Sequence, residues 1–298
     1  MQIIKIMGGL GNQMFEYAFA KAYSLINQCE VLLDLSWFEE VKNISDNVVA
    51  KRVYELQNFY LTPCFATKEQ CLPFVKLHKL YIPGCIRNYF GIPKYVNKTT
   101  KEKKGQYFEP KFLKYKKNIY FEGYFQTEKY FKIFRKELLK DFSLKTELND
   151  KNKKMLEQIK STNAISLHVR HGDYLNLQNH FKICSLDYYK NAINLIIQKV
   201  ENPHFYIFSD DIDWVRKNFN LNHHITIVDI NSSNEGYFDL ELMKNCKHNI
   251  TANSSFSWWG AWLNENPDKI VITPKTWFVN GDEERIDRIP EDWIELEN

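Results

Sequence analysis

The chain has 298 residues, 44% of them hydrophobic and 15% aromatic, with a charged fraction of 26% and a net charge of +3. At roughly 100–200 residues per domain, that is room for two domains, each with its own core. Neither the ordinary charged fraction nor the small net charge implies a disordered chain or a dedicated nucleic-acid binder. The opening Met1-Gln2-Ile3-Ile4-Lys5-Ile6 has no basic region ahead of a long apolar stretch, and no window approaches the roughly 20 apolar residues that span a bilayer. A cytoplasmic protein is expected. Cys29, Cys64, Cys71, Cys85, Cys184 and Cys246 include no C-x-x-C pair, so they are read as buried free thiols rather than a zinc site or a disulfide scaffold. Asn43-Ile44-Ser45 and Asn97-Lys98-Thr99 match the glycosylation triplet, which in a chain read as cytoplasmic is a chance match.

The first predicted element is an apolar strand over residues 2–7, running into Gly8-Gly9-Leu10-Gly11. A helix follows, with Phe15, Ala18, Phe19, Ala22 and Leu25 spaced for one face. A short strand over 31–34 completes a βαβ opening with a glycine-rich first turn. Residues 40–117 are irregular, with Pro63, Pro73, Pro83, Pro93 and Pro110 and a lysine-rich stretch over 94–117. Those lysines read as a solvated loop. Their alternative use is weak peripheral contact with anionic headgroups at the inner face of the membrane. A strand is expected over 118–124 and a helix over 128–141, presenting Phe131, Phe134 and Leu138 on one face.

Residues 143–154 are polar and charged, so the boundary is placed between domains 1–150 and 151–298. Beyond it, strands are predicted over 164–169, 204–209, 225–229, 248–251 and 269–273. Helices are predicted over 186–200, 212–219, 236–245 and 255–263. This alternation is the pattern of an α/β parallel sheet covered by helices. The second half reads as a Rossmann-like domain, and the first half opens like another.

Ligands of such sheets bind outside the carboxyl ends of the strands. The turns there read Gly8-Gly9-Leu10-Gly11-Asn12-Gln13, His168-Val169-Arg170-His171-Gly172-Asp173, Ser209-Asp210-Asp211 and Ala252-Asn253-Ser254-Ser255-Phe256. They are expected to converge on a cleft between two domains. Their chemistry suits a nucleotide-sugar diphosphate. Arg170 presents a planar fork that matches phosphate oxygens, and an arginine ending an apolar strand is costly to bury without an anion. Ser254 and Ser255 begin a helix, whose free amides attract anions. Asp210 can accept both N–H groups at a guanine edge. Blander readings stand beside these: His168 as a packed histidine, and Trp258, Trp259 and Trp262 as core rather than a sugar platform. Gln13-Met14 stands where the dinucleotide fingerprint needs its third glycine, which disfavours a nicotinamide-dependent oxidoreductase, as does the distant Asp34.

Gly8-Gly9-Leu10-Gly11-Asn12-Gln13-Met14-Phe15 resembles the opening signature of the α-1,2-fucosyltransferases, glycosyltransferase family 11. His168-Val169-Arg170-His171-Gly172-Asp173 resembles their H-x-R-R-x-D motif, and Asn253 through Trp262 their third motif. The resemblance implies a GT-B-like architecture of two Rossmann-like domains facing across a cleft. It also implies GDP-fucose as donor, inversion at the anomeric carbon and no metal. The acceptor would be a galactose-terminated oligosaccharide or glycolipid in surface-glycan synthesis. By wider similarity to α-1,6- and protein O-fucosyltransferases, Arg170 would hold the β-phosphate, and His168 and Asp210 would bind guanine. Ser254, Ser255 and Phe256 would line the donor pocket. Gly11 and Asn12 would face the β-phosphate and fucose. His171 replaces the motif's second arginine, so any charge it brings becomes pH-dependent.

Asp173 is the candidate general base, with a structural carboxylate that fixes the turn as the alternative. A dissociative mechanism, in which the departing phosphate takes the proton, needs no base. Asp211-Ile212-Asp213 spells the D-x-D by which another glycosyltransferase class holds a divalent ion. Helix capping explains the same acids, and metal-independent chemistry is expected. A sugar-binding protein without catalysis is the reading from outside the enzymes.

Overall fold

The computed structural model describes residues 1–42, 52–77, 86, 92, 94–97, 108–115, 118–172, 174–175, 178–219, 223–279 and 287–298. The chain divides into two compact units, Met1–Ser143 with Arg285–Arg288 and Leu144–Glu284 with Ile289–Asn298. This division falls ahead of the 150/151 boundary, because the charged stretch hides an amphipathic helix. Met155, Leu156 and Ile159, at helical spacing, pack on Ala164, Tyr206 and Phe208 of the second unit. Asn149 caps that helix by accepting the Asn152 N–H at 3.0 Å.

The first unit runs β1 (Gln2–Lys5), α1 (Leu10–Asn27), β2 (Leu32–Asp34), α2 (Ser36–Lys42), β3 (Cys64–Phe65), α3 (Lys68–Leu77), β4 (Lys94–Asn97), β5 (Ile119–Glu122) and α4 (Arg135–Asp141). Its sheet has the order β3-β2-β1-β5-β4, with every pairing parallel. Aromatic side chains dominate the core: Phe19 stacks on Phe125 at 3.9 Å and meets Tyr130 edge-on at 5.1 Å. Leu25 is 39% exposed, and Tyr23 takes the buried position instead. The helix expected over 128–141 is α-helical only from Arg135. Two 3-10 turns precede it, Glu128–Tyr130 and Lys132–Phe134, separated by Phe131 at φ −138° and ψ −3°. In the lysine-rich stretch, residues 94–97 form a strand beside β5, and Lys94 Nζ sits 3.9 Å from the centre of the Tyr115 ring. Lys98, Lys101, Lys103, Lys104, Lys116 and Lys117 lie outside the described residues.

The second unit runs α5 (Asp150–Lys160), β6 (Asn163–Val169), α6 (Leu186–Ile197), β7 (Pro203–Ser209), α7 (Ile212–Asn218), β8 (His224–Ile227), α8 (Gly236–Lys244), β9 (His248–Ile250), α9 (Ser255–Leu263), β10 (Val271–Pro274) and β11 (Ile294–Leu296). Its strands lie in the order β11-β10-β9-β6-β7-β8, all parallel. The α/β class and the parallel sheets match the sequence expectation. Among the described strands of the second unit, β11 goes unannounced, since three residues carry too little pattern to separate from a loop.

The tryptophans of the third motif are core. Trp258 and Trp259 are fully buried and Trp262 nearly so, with Trp258 also against Trp293 at 5.5 Å. Gly260 lets α9 approach α8 closely, since a Cβ there would sit 3.0 Å from Met243 Cβ. Cys71, Cys184 and Cys246 are buried thiols as expected, but Cys29 is half-buried and Cys64 exposed beside Glu30. Cys85 lies outside the described residues. Among the described residues, no helix is long and apolar enough to cross a membrane.

Candidate active site

The strand order places a crevice in each sheet. In the second unit the chain starts at β6, builds β7 and β8 on one side, then returns to build β9, β10 and β11 on the other. Between β6 and β9 the crossovers diverge, which is where open parallel sheets bind ligands. The turns ending these two strands are the second and third motifs.

His168 is the penultimate residue of β6, buried, with its ring 5.6 Å from that of Phe256 at the start of α9. Burial and then the nearby Arg170 charge hold its pKa down at about 3, with Asp210 opposing, so the imidazole is neutral. Its Nδ1 has no hydrogen-bond partner among the described residues. Arg170 Nε lies 3.4 Å from Asp210 Oδ2, and the guanidinium sits over the Tyr174 ring at 5.6 Å. Asp210 Oδ1 accepts the main-chain N–H of His171 at 2.9 Å. One carboxylate thus orients both the arginine and the turn carrying it. Glycine suits position 172, where a Cβ would come 3.2 Å from the Asp210 carbonyl oxygen, tighter than an ordinary contact.

Across the crevice, Ser254 is the N-cap of α9 and accepts the Phe256 N–H at 3.3 Å. Ser255 is the first helical residue, half-buried. Asn253 holds this turn from beneath: its Nδ2 donates to the carbonyls of Lys182 at 2.6 Å and Trp277 at 3.0 Å, and its own carbonyl accepts from Tyr174 Oη at 2.9 Å. Tyr174 therefore touches both motifs, a role that reading motif by motif misses.

The two aspartates of the D-x-D have separate employments. Asp211 Oδ1 caps α7 through the Trp214 N–H at 3.0 Å, and Oδ2 accepts His171 Nδ1–H at 2.8 Å. Asp213 has an 88% exposed side chain and pairs with Arg216 at 3.5 Å. Asp173 lies outside the described residues.

In the first unit the switch falls between β1 and β5, at the glycine turn. Gly8 takes φ +76°, and a Cβ there would meet Asn12 Nδ2 at 2.8 Å. Gly11 lies in the first turn of α1, and Asn12 Oδ1 accepts from Gln126 Nε2 at 2.9 Å. The motif's Gln13 is fully buried and entirely employed. Its Nε2 donates to the carbonyls of Gly8 at 3.0 Å and Val53 at 2.9 Å, and its Oε1 accepts the Glu55 N–H at 2.9 Å. This clamp brings Arg52 and Glu55 to the glycine turn. Neither carries a recognisable sequence signal, since it is the fold of the buried Gln13 amide against them that brings them in. Asp34 is likewise spent: it accepts from Tyr120 Oη at 2.5 Å and from the Ser36 N–H at 2.9 Å.

The sequence profile of glycosyl transferase family 11 matches residues 1–297. An α-1,2-colitosyltransferase of Escherichia coli is 31% identical over 99% of this chain and 98% of its own. The O-antigen biosynthesis glycosyltransferase WbnK of Escherichia coli is 30% identical over 98% of this chain and 99% of its own. A galactoside 2-α-L-fucosyltransferase, SEC1 of Bos taurus, is 25% identical over 47% of this chain and 41% of its own. With its motifs in place at both switch points and the profile spanning residues 1–297, the chain belongs to glycosyl transferase family 11.

Proposed function

We propose that this glycosyltransferase moves L-fucose from GDP-fucose to the 2-hydroxyl of a terminal galactose-type acceptor, with inversion, in surface-glycan synthesis. The observation that carries the donor half is the grouping at the β6/β9 switch point. Arg170, held by Asp210 and Tyr174, stands at one strand end and the start of α9 at the other. A guanidinium and free helix amides suit a leaving diphosphate, whose negative charge grows in the transition state. The buried His168 Nδ1, without a partner among the described residues, suits a ligand group such as the guanine edge. The motif resemblance and the bovine relative support fucose and galactose. No metal is assigned to the diphosphate, since the Asp211 oxygens cap α7 and hold His171 while Asp213 points to Arg216.

A second donor has a specific observation behind it, the relative named for colitosyl transfer. Colitose is fucose without the 3-hydroxyl, so a pocket for one differs from a pocket for the other by a single polar contact. The test is incubation with GDP-fucose or GDP-colitose and a panel of β-galactosides, the new linkage being read by NMR. An α-1,2-fucosyl product is expected. Colitosyl product alone moves the donor assignment, and no transfer together with no GDP binding in calorimetry overturns the reading.

A further inference from the structure

Strand beginnings in the second unit frame a hollow of about 450 Å³, at the opposite edge of the sheet from the β6/β9 switch point. That volume falls within the roughly 300–1,000 Å³ of small-ligand clefts. β6 contributes Asn163, β7 His204 and β8 His224, while Lys247 stands just ahead of β9 and Lys160 ends α5. Two lysines and two histidines thus line one hollow, and among the described residues no carboxylate lines it.

The group is held in place. Lys247 Nζ donates to Asn163 Oδ1 at 2.6 Å, and Asn163 Nδ2 donates to the Glu201 carbonyl at 2.6 Å, so one amide ties the lysine to the turn before β7. The Glu201 side chain belongs to an adjoining hollow, lined also by Ile197, Val200 and Pro203. His204 and His224 are partners in the β7–β8 register, with rings 6.0 Å apart. His204 also stacks on Tyr206 at 4.5 Å, and its Nε2 is hydrogen-bonded to Thr226 Oγ1 at 2.8 Å. Burial first, and then the neighbouring His224, hold its pKa below the ordinary histidine value.

The end of α5 would bring bare carbonyl oxygens and the negative pole of its dipole to this edge. Ser161 and Thr162 cover those oxygens. The Ser161 hydroxyl donates to the Gln158 carbonyl at 2.9 Å, and the Thr162 hydroxyl lies 3.2 Å from the carbonyls of both Gln158 and Ile159. The Lys160 ammonium and the Asn202 side-chain amide, both at the hollow, make no hydrogen bond or ion pair among the described residues. Ammonium, imidazole and amide groups are therefore the chemistry on offer, and none of them is negative.

We propose that this hollow is a second ligand site, which takes a phosphate group and is separate from the donor crevice of the same unit. N–H donors reach it from three strands and a helix end, and phosphate carries acceptor oxygens on every side, whereas a carboxylate presents only one edge. Two ammonium groups repel a divalent cation, the other ligand that paired histidines would suit. The site stands whether or not the sugar-transfer reading holds.

The test is titration of the full chain with inorganic phosphate while saturating GDP fills the donor crevice, followed by the imidazole C–H signals in NMR. The His204 and His224 signals should shift together and saturate. Changing both Lys160 and Lys247 to Gln should weaken the apparent affinity about tenfold, and Lys217→Gln, an exposed change on α7, should leave it alone. Should the double variant not fold, Lys160→Gln decides, because its ammonium holds nothing in the fold; a loss of about threefold is expected. Shifts that never saturate, that sodium chloride reproduces at equal ionic strength, or that persist unchanged in the lysine variants overturn the proposal. Flotation with phosphatidylcholine vesicles, with and without phosphatidic acid, separates the sources once saturation is seen. Retention by phosphatidic acid that the lysine variant loses assigns the site to a membrane-borne phosphate, and no retention assigns it to a soluble one. Retention without saturation by free phosphate is surface adsorption and overturns the site.

Discussion

His171 donates from Nδ1 to Asp211 Oδ2 at 2.8 Å, with its ring stacked 4.3 Å from that of Trp214 at an interplanar angle of 21°. The residue that replaces the motif's second arginine is thus gripped by the first turn of α7, through both a carboxylate and an indole. An arginine can make the same two contacts, a fork to Asp211 and a flat face on Trp214. His171→Arg should therefore remain folded with activity within a few-fold of wild type. Asp211→Ala removes both the helix cap and the histidine's partner, and should cost about 1–2 kcal/mol in urea denaturation. Asp213→Ala, at an exposed site, should stay within about 0.5 kcal/mol of wild type. A folded but inactive His171→Arg enzyme would give the imidazole a chemical role of its own.

Arg170 should be the most sensitive side chain in turnover. Its side chain is only 20% exposed, and both Asp210 and Tyr174 hold it at the switch point. A charge-assisted contact to a group gaining charge in the transition state contributes roughly 1.5–3 kcal/mol or more. Arg170→Ala should lower kcat by about 10²-fold or more, with circular dichroism and melting showing a folded protein. Ordinary turnover in that variant would remove Arg170 from the diphosphate site.

His168 links stability to acid. Its pKa is about 3 in the folded protein, whereas in the unfolded chain it titrates near the ordinary value of about 6.5. Between those values the unfolded state binds a proton that the folded state refuses. Its contribution is therefore complete above pH ~6.5 and is lost progressively as pH falls toward 3, by as much as about 1.4 kcal/mol per pH unit. Urea midpoints across pH 4–7 should fall less steeply with acid in His168→Phe than in wild type. Parallel curves for the two proteins would show that His168 is not held neutral.

Transfer should proceed at full rate in excess EDTA with no added magnesium or manganese. The D-x-D aspartates do not act as a pair: Asp211 spends both oxygens on Trp214 and His171, and Asp213 pairs with Arg216. Arg170 and the start of α9 can carry the leaving diphosphate's charge. Activity lost on chelation and restored by manganese would place a cation on the donor and make Asp211 and Asp213 the first residues to replace.

The sequence by itself determined the α/β class, most strands of the second unit and the identity of the three turns. These are local properties, since apolar period, capping residues and glycine at a tight turn all act within a few residues. Helical spacing of Trp258 and Trp262 in an apolar run favoured core over a sugar platform, and the structure buries them. Tertiary structure alone decided which turns lie at a switch point, because strand order depends on pairings tens of residues apart, as of β6 with both β7 and β9. It also decided what each polar group does once folded. Asp34, Asp210 and Asp211 are acids near strand or helix ends in the sequence, and Glu55 lies in the irregular stretch. Hydrogen bonds to Tyr120, to His171, to Trp214 and to Leu10 give them four different employments. A carboxylate's chemistry follows from its burial and its partners, and those come from distant segments brought together only when the chain folds.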